Sequence, residues 1–134
     1  MNLDRLRNSH GRIWLNIGSS CYLMDEFVNV DSNWLCYLSP FFPVLKPWLK
    51  PAGREWIETY RGHRARGVRF LYANCARPLR LPADSVDHIL ASHFLEHLYC
   101  DAVREVLRGF HRVSRPGGTL HVIVPDLEIR ARQY

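Results

Sequence analysis

The sequence predicts an α/β domain in which a parallel sheet is covered by helices. Short apolar segments of strand length alternate along the chain with helical and turn-rich segments, the order expected for such a sheet. The clearest helical pattern lies between the last two of these segments. A chain of 134 residues is long enough to form one hydrophobic core and too short for two domains. We therefore interpret residues 1–134 as a single domain.

Five strands are predicted from apolar runs that end at turn residues. They are Ile13–Ile17, Phe27–Val30, Val68–Ala73, Val86–Ala91 and Thr119–Val124. Only eight residues lie between Gly18 and Phe27, fewer than a helical crossover normally needs, so we expect at most one or two helical turns there. The stretch Pro78–Ser85 is predicted to be a loop.

An amphipathic helix is predicted over Asp101–Ser114. Its apolar residues recur at three- and four-residue spacing, namely Val103, Val106, Leu107, Phe110 and Val113. Asp101 is suited to the N-cap or the first turn, where a negative charge is favourable. The run Arg115–Gly118 contains a proline and two glycines, so it is predicted to end the helix and turn the chain into the last strand.

Residues 33–67 form an insert rich in aromatic residues and proline. Because proline lacks a backbone donor and restricts the residue before it, Leu35–Lys50 is predicted to contain short helices or turns, followed by a helix around Arg54–His63. The aromatic side chains either pack on the sheet or cover a pocket for a substrate. They are Trp34, Tyr37, Phe41, Phe42, Trp48, Trp56 and Tyr60.

Composition and charge indicate which partners and which cellular location are expected. The formal charge is +5, but the cations are spread along the chain, so a nucleic-acid partner is not favoured. The N-terminal segment lacks the apolar run of a signal peptide, and the apolar stretch Trp34–Leu49 is broken by proline and lysine, so we expect a cytoplasmic protein without a membrane span. Four cysteines without the spacing of a zinc site are expected to be reduced thiols: Cys21, Cys36, Cys75 and Cys100.

Candidate binding residues follow the predicted strands, since ligands of open parallel sheets bind beyond the carboxyl ends of the strands. They are Asn16, Gly18, Ser19 and Ser20, then Asp31, Asn74 with Cys75, Ser92 with His93, and Pro125 with Asp126. Gly18 allows a tight turn and a close approach of a ligand to the backbone. Asp31 could accept both hydroxyls of a ribose, or it could cap a helix.

The segments Trp14–Ser20 and Phe27–Asp31, each an apolar run that ends at a turn or an acid, are similar to the first two motifs of class I S-adenosylmethionine-dependent methyltransferases. Four later segments resemble the methyltransferase type 11 domain: Pro78–Asp87, Ser92–Leu98, Arg112–Gly118 and Val124–Leu127. The resemblance runs from about Ile13 to Tyr134, apart from the insert.

The resemblance implies a Rossmann-like sheet in the order 3-2-1-4-5 with helices on both faces. It also implies S-adenosylmethionine as cofactor, with Asn16–Ser20 facing its methionine part, Asp31 its ribose, and Asn74 its adenine. Ser92 and His93 would flank the methyl group, and His93 is the candidate for a catalytic role. Three residues depart from the family pattern: Asn16 replaces an acid, Ser20 a second glycine, and Asn74 a frequent aspartate.

Three functions follow as hypotheses. The first is methyl transfer to a small-molecule or glycan-like acceptor. The second is a catalytically incomplete relative that serves as a binding or assembly module. The third is a zinc hydrolase, because His93, Glu96 and His97 fit the H-x-x-E-H pattern, which on a helix would bring both histidines to one face. The first is favoured, and no metal is expected.

The fifth strand is predicted to lie at an edge of the sheet. The complete sheet of the family has seven strands, so the resemblance implies that the strands after the fifth are missing. Thr119–Val124 would then be an apolar edge, which proteins normally cover or pair. We expect it to be covered by the tail of the chain or by a second copy in a homodimer, unless the sequence belongs to a longer parent.

Overall fold

The chain folds around a five-stranded parallel sheet. The computed structural model describes residues 2–20, 22–38, 41–126, 128 and 132. Its strands are β1 (Trp14–Ile17), β2 (Val28–Asp31), β3 (Arg69–Tyr72), β4 (Val86–Ser92) and β5 (Ser114–Ile123). They are arranged in the order β3-β2-β1-β4-β5, and every neighbouring pair is parallel. This confirms the predicted sheet and its strand order.

The helices lie in the insert and before β5. They are α1 (Leu35–Leu38), α2 (Phe42–Leu45), α3 (Pro51–Ala65) and α4 (Cys100–Val113), with 3-10 helices at Leu3–Leu6, Lys46–Trp48 and Leu95–His97. Pro51 occupies the first turn of α3, where its missing donor costs nothing. Gly67 ends α3 with a φ of +83°; its N–H bonds to Arg64 O, and the N–H of Val68 bonds to His63 O.

One face of the sheet forms the main core with α4. The strands contribute alternate buried side chains, and α4 contributes Val106, Phe110 and Val113. Leu107, which was predicted to share this face, is 36% exposed. The buried strand residues in this core are Leu15, Ile17, Val28, Val30, Val86, Ile89 and Ala91. Arg112 also ties α4 to the predicted loop, since its guanidinium donates to the carbonyls of Leu79 and Leu81.

The opposite face is covered in part by α3. Tyr60 is buried and makes an edge contact with Phe70 of β3, their ring centroids 5.4 Å apart. Trp56 stacks on Tyr60 at 5.8 Å. Helices therefore cover both faces, as predicted.

The aromatic side chains of the insert differ in their exposure. In contrast to Trp56 and Tyr60, the side chains of Trp34, Phe41 and Trp48 are exposed. Cys21 and Leu127, and the side chains of Cys36, Tyr37 and Phe42, lie outside the described residues.

The last strand starts earlier than predicted. Arg115–Gly118 was expected to turn the chain, but β5 already begins at Ser114, which pairs with Val86. The register then shifts, and regular pairing resumes where Thr119 faces His88. The turn prediction was wrong because proline and glycine are tolerated in a bulge on an edge strand.

The outer edge of β5 stays open among the described residues, where its neighbour is β4. Leu120, Val122, Ile123 and Val124 are between 40% and 52% exposed. Most of the tail that was expected to cover this edge lies outside the described residues. Cover by the tail or by a second copy therefore stays a prediction.

Candidate cofactor site

A cavity of about 470 Å³ opens at the carboxyl ends of β1 and β4. It brings together five of the predicted site residues: Asn16, Gly18, Ser19, Ser92 and His93. The sequence did not point to the other lining residues, which are Tyr22, Leu23, Met24 and Leu90. Three of these belong to the connection between β1 and β2. No helix forms in the described part of that connection, so its side chains and backbone are free to line the cavity.

Gly18 forms the turn at the end of β1. Its φ is +65°, a conformation that side chains disfavour. A Cβ atom at this position would lie 2.8 Å from Cδ2 of Phe94. The N–H groups of Gly18 and Ser19 both donate to the carbonyl of Val30, at 2.9 and 3.3 Å. The turn is therefore fixed from one side by β2 and from the other by the Phe94 ring.

Two buried asparagines hold the connection that lines the cavity. The Nδ2 group of Asn16 donates to Tyr22 O at 2.7 Å and to Asn29 Oδ1 at 3.0 Å. Asn29 Oδ1 also accepts the N–H of Met24, and its Nδ2 group donates to Met24 O. This role of Asn29 was not predicted, although asparagine is rare in strands and its place in an apolar strand indicates a buried hydrogen-bond partner. Asn16, predicted to contact the cofactor, also has this scaffolding role.

Asp31 joins two loops at the end of β2. Its Oδ2 atom accepts the N–H of Ser20 at 2.7 Å, and Oδ1 accepts the N–H of Asn33 at 2.8 Å. Ser20 has a φ of +44°, so its amide is turned back toward the carboxylate. Each carboxylate oxygen has a second lone pair and can still accept a hydroxyl group. Asp31 thus holds the backbone of both loops and keeps lone pairs that can accept hydroxyl groups, but it does not cap α1, where the N–H of Leu35 donates to Asn33 Oδ1.

Asn74 lines a neighbouring cavity of about 400 Å³ beyond β3, together with Tyr72 and Arg77. Its side-chain oxygen accepts the N–H of Ala76 at 3.0 Å. Cys75 does not line this cavity: its side chain is buried, and its Sγ atom lies 3.5 Å from the carbonyl oxygen of Val30. Burial raises the pKa of the Cys75 thiol to about 11, so the thiol is uncharged at neutral pH.

His93 lies at the mouth of the first cavity, directly after β4. Its side chain is 56% exposed, and Nδ1 is 3.4 Å from Oε1 of Glu96. Its backbone has a φ of +49°, and its N–H donates to Ile123 O at 2.8 Å. β5 therefore fixes the backbone of His93 in a strained conformation, a feature often found at functional sites.

The zinc hypothesis required His93 and His97 on one helical face. The 3-10 helix Leu95–His97 has only three residues and starts after His93, so the two histidines do not share such a face. Within the ranges that the structure describes, no three or more His, Cys, Asp or Glu side chains are grouped closely enough to hold a metal ion. The geometric premise of the zinc hydrolase is thus not met.

The candidate residues follow one edge of the sheet. Ser92 ends β4 and is followed by His93, Gly18 follows β1, Asp31 ends β2, and Asn74 lies beyond β3. Neighbouring strands are about 4.8 Å apart, so this row extends over roughly 14 Å. The edge thus presents a glycine turn, a carboxylate and a side-chain amide in a row, of which Gly18 and His93 line the first cavity and Asn74 lines the neighbouring one.

A sequence-family model described as a methyltransferase domain matches residues 48–122. The chain belongs to this type 11 methyltransferase family. The matched segment includes four of the candidate residues, Asn74, Cys75, Ser92 and His93, whereas Gly18 and Asp31 precede it. Membership in the family implies binding of S-adenosylmethionine. No curated protein matches the chain.

Solved structures share the methyltransferase fold. An S-adenosylmethionine-dependent methyltransferase from Archaeoglobus fulgidus matches with a TM-score of 0.58 and 18% identity; the match covers 86% of this chain and 45% of that protein's chain. The PH0226 protein from Pyrococcus horikoshii OT3 matches with a TM-score of 0.61 and 15% identity, over 93% of this chain and 55% of the other. The [4+2]-cyclase SpnF matches with a TM-score of 0.53 and 17% identity, over 83% of this chain and 38% of the other. The chain therefore spans about half the length of the first two structures.

None of the helices that the structure describes is long and apolar enough to cross a bilayer.

Proposed function

We propose that this methyltransferase domain binds S-adenosylmethionine along the carboxyl edge of its sheet and transfers the methyl group to a small-molecule or glycan-like acceptor. The observation that carries the proposal is the family match together with the cavity between Gly18 and His93. The acceptor would enter at the mouth of this cavity, where the His93 side chain is exposed.

Four of the candidate residues have a role in cofactor binding under this proposal. The Gly18 turn and Ser19 contact the methionine part, Asp31 accepts the ribose hydroxyls, and Asn74 lies toward the adenine. When bound, the sulfonium supplies an activated methyl group. The contribution of the chain is then chiefly to bind and orient the two substrates, because holding reactants in line removes much of the entropic cost of their reaction.

Binding of the product cofactor tests the proposal directly. We expect S-adenosylhomocysteine to release or absorb measurable heat in isothermal titration calorimetry with the purified chain. Adenosine and methionine, titrated separately, serve as controls and should bind more weakly. No binding at millimolar S-adenosylhomocysteine would contradict the proposal and leave a binding or assembly module as the function.

The ribose contact predicts a specific loss of affinity. Asp31→Ala removes the carboxylate, so we expect the binding free energy of S-adenosylhomocysteine to weaken by about 1.5–3 kcal/mol. Asp101→Ala is the control, because the Asp101 side chain is 98% exposed on α4. Thermal unfolding of both variants shows that they are folded at the titration temperature. Equal affinities of Asp31→Ala and the wild type would refute the ribose assignment.

A further inference from the structure

His93 and Glu96 form a pair at the mouth of the candidate cofactor cavity. The Nδ1 atom of His93 faces Glu96 Oε1 at 3.4 Å, the distance of an ion-pair contact and longer than a well-formed hydrogen bond. Catalytic hydrogen bonds are often long before substrates bind and shorten in the complex. Only 24% of the Glu96 side chain is exposed, compared with 56% of the His93 side chain. The carboxylate is thus the inner partner and the imidazole the outer one.

The backbone gives this pair a defined position. The N–H of His93 donates a hydrogen bond to the carbonyl of Ile123 in β5, and His93 itself has a left-handed backbone conformation. Glu96 follows three residues later in the 3-10 helix, which brings its carboxylate back toward the imidazole. A carboxylate next to Nδ1 favours the tautomer with the proton on Nδ1, and leaves Nε2 as an acceptor. His93 also lines the cavity, and more than half of its side chain is exposed, so a molecule bound there can approach this nitrogen.

We propose that His93 is the general base of the methyl transfer, that Glu96 is its positioning residue, and that the acceptor is therefore a hydroxyl or amine that loses a proton. This inference rests on the proposed function. The lone pair of the acceptor oxygen or nitrogen forms a bond to the methyl carbon. The bond between that carbon and sulfur breaks at the same time, and the electron pair of the broken bond stays on sulfur. The proton of the acceptor moves to Nε2 of His93, and the imidazolium, stabilised by Glu96, later releases it to water.

Chemical modification tests this assignment without a known acceptor. Diethyl pyrocarbonate acylates unprotonated imidazole nitrogens, and peptide mass spectrometry gives a rate for each histidine. We expect His93 to react at least threefold faster than His97, an exposed histidine in the 3-10 helix that follows. Saturating S-adenosylhomocysteine should slow the reaction of His93 at least fivefold and leave that of His97 unchanged.

The positioning role of Glu96 has its own readout. In Glu96→Gln, the rate of His93 modification should fall at least threefold, and ¹⁵N NMR of the histidine rings should show a smaller share of the tautomer protonated on Nδ1. The His93 signal is identified by its loss in His93→Gln, and His97→Gln is the matched control. If Glu96→Gln changes neither the rate nor the tautomer, the positioning role is overturned.

The outcomes separate this inference from the proposed function. If calorimetry detects binding of S-adenosylhomocysteine but the ligand does not slow modification of His93, the base assignment is overturned and the proposed function stands. If the ligand does not bind, both fail. Binding with selective protection of His93 supports both.

Discussion

Replacing Asn29 with alanine is expected to lower the free energy of unfolding by about 2–4 kcal/mol. Asn29 is 1% exposed, and its side chain bonds to Asn16 and to both backbone groups of Met24. Removing it leaves buried donors without partners, and each unsatisfied group costs about 1–3 kcal/mol. Urea unfolding followed by circular dichroism measures the loss. Because the same bonds hold one wall of the cavity, affinity for S-adenosylhomocysteine should fall at least tenfold.

A surface asparagine provides the control for this variant. Asn2 caps the first 3-10 helix through a bond to the N–H of Asp4, and it is exposed. We expect Asn2→Ala to cost about 1 kcal/mol or less and to leave ligand affinity unchanged. A loss below about 1 kcal/mol in Asn29→Ala, with normal ligand affinity, would show that the asparagine pair does not support the cavity.

Replacing Gly18 with alanine is the second variant with a large expected effect. The residue has a positive φ, which costs a side chain about 1–2 kcal/mol. Its new Cβ atom would also lie 2.8 Å from the Phe94 ring, which must move. We expect a total loss of about 2–4 kcal/mol in unfolding free energy and at least a tenfold loss of affinity for S-adenosylhomocysteine, measured by urea unfolding and calorimetry.

A variant at Gly67 separates the cost of the positive φ from the cost of the contact with Phe94. Gly67 also has a positive φ, but a Cβ atom there would meet nothing within 4 Å. Gly67→Ala should therefore show the conformational cost alone, about 1–2 kcal/mol, with normal ligand affinity. If both variants lose the same stability and bind the ligand equally well, contact between Gly18 and Phe94 has no role in the site.

The sheet could be predicted from the sequence because its strands are short apolar runs that end at recognisable turn residues. Strand order required the family resemblance, since apolar runs alone do not say which strands pair. The start of β5 was missed because Pro116, Gly117 and Gly118 usually indicate a turn, whereas the bulge depends on the edge position of the strand.

The candidate site was predictable to the extent that it follows the ends of strands. Gly18, Ser92 and His93 meet in one cavity because parallel strands present their carboxyl ends on the same edge. Asn29 and Tyr22 could not be assigned in this way, because their roles depend on tertiary hydrogen bonds across the connection. The pairing of His93 with Glu96 depends on the strained backbone at residue 93, which no local pattern indicates.

The pairing of β1 with β4 also affects how the cavity forms during folding. The N–H of Ile13 donates to Asp87 at 2.8 Å, across 74 residues of sequence, whereas β1 and β2 are joined by a short connection. Closing the longer loop carries the larger entropic cost, and non-local contacts generally form slowly. The Gly18 turn can therefore form early with β2, but the wall made by Ser92 and His93 exists only after the long closure. The site is thus expected to assemble late in folding.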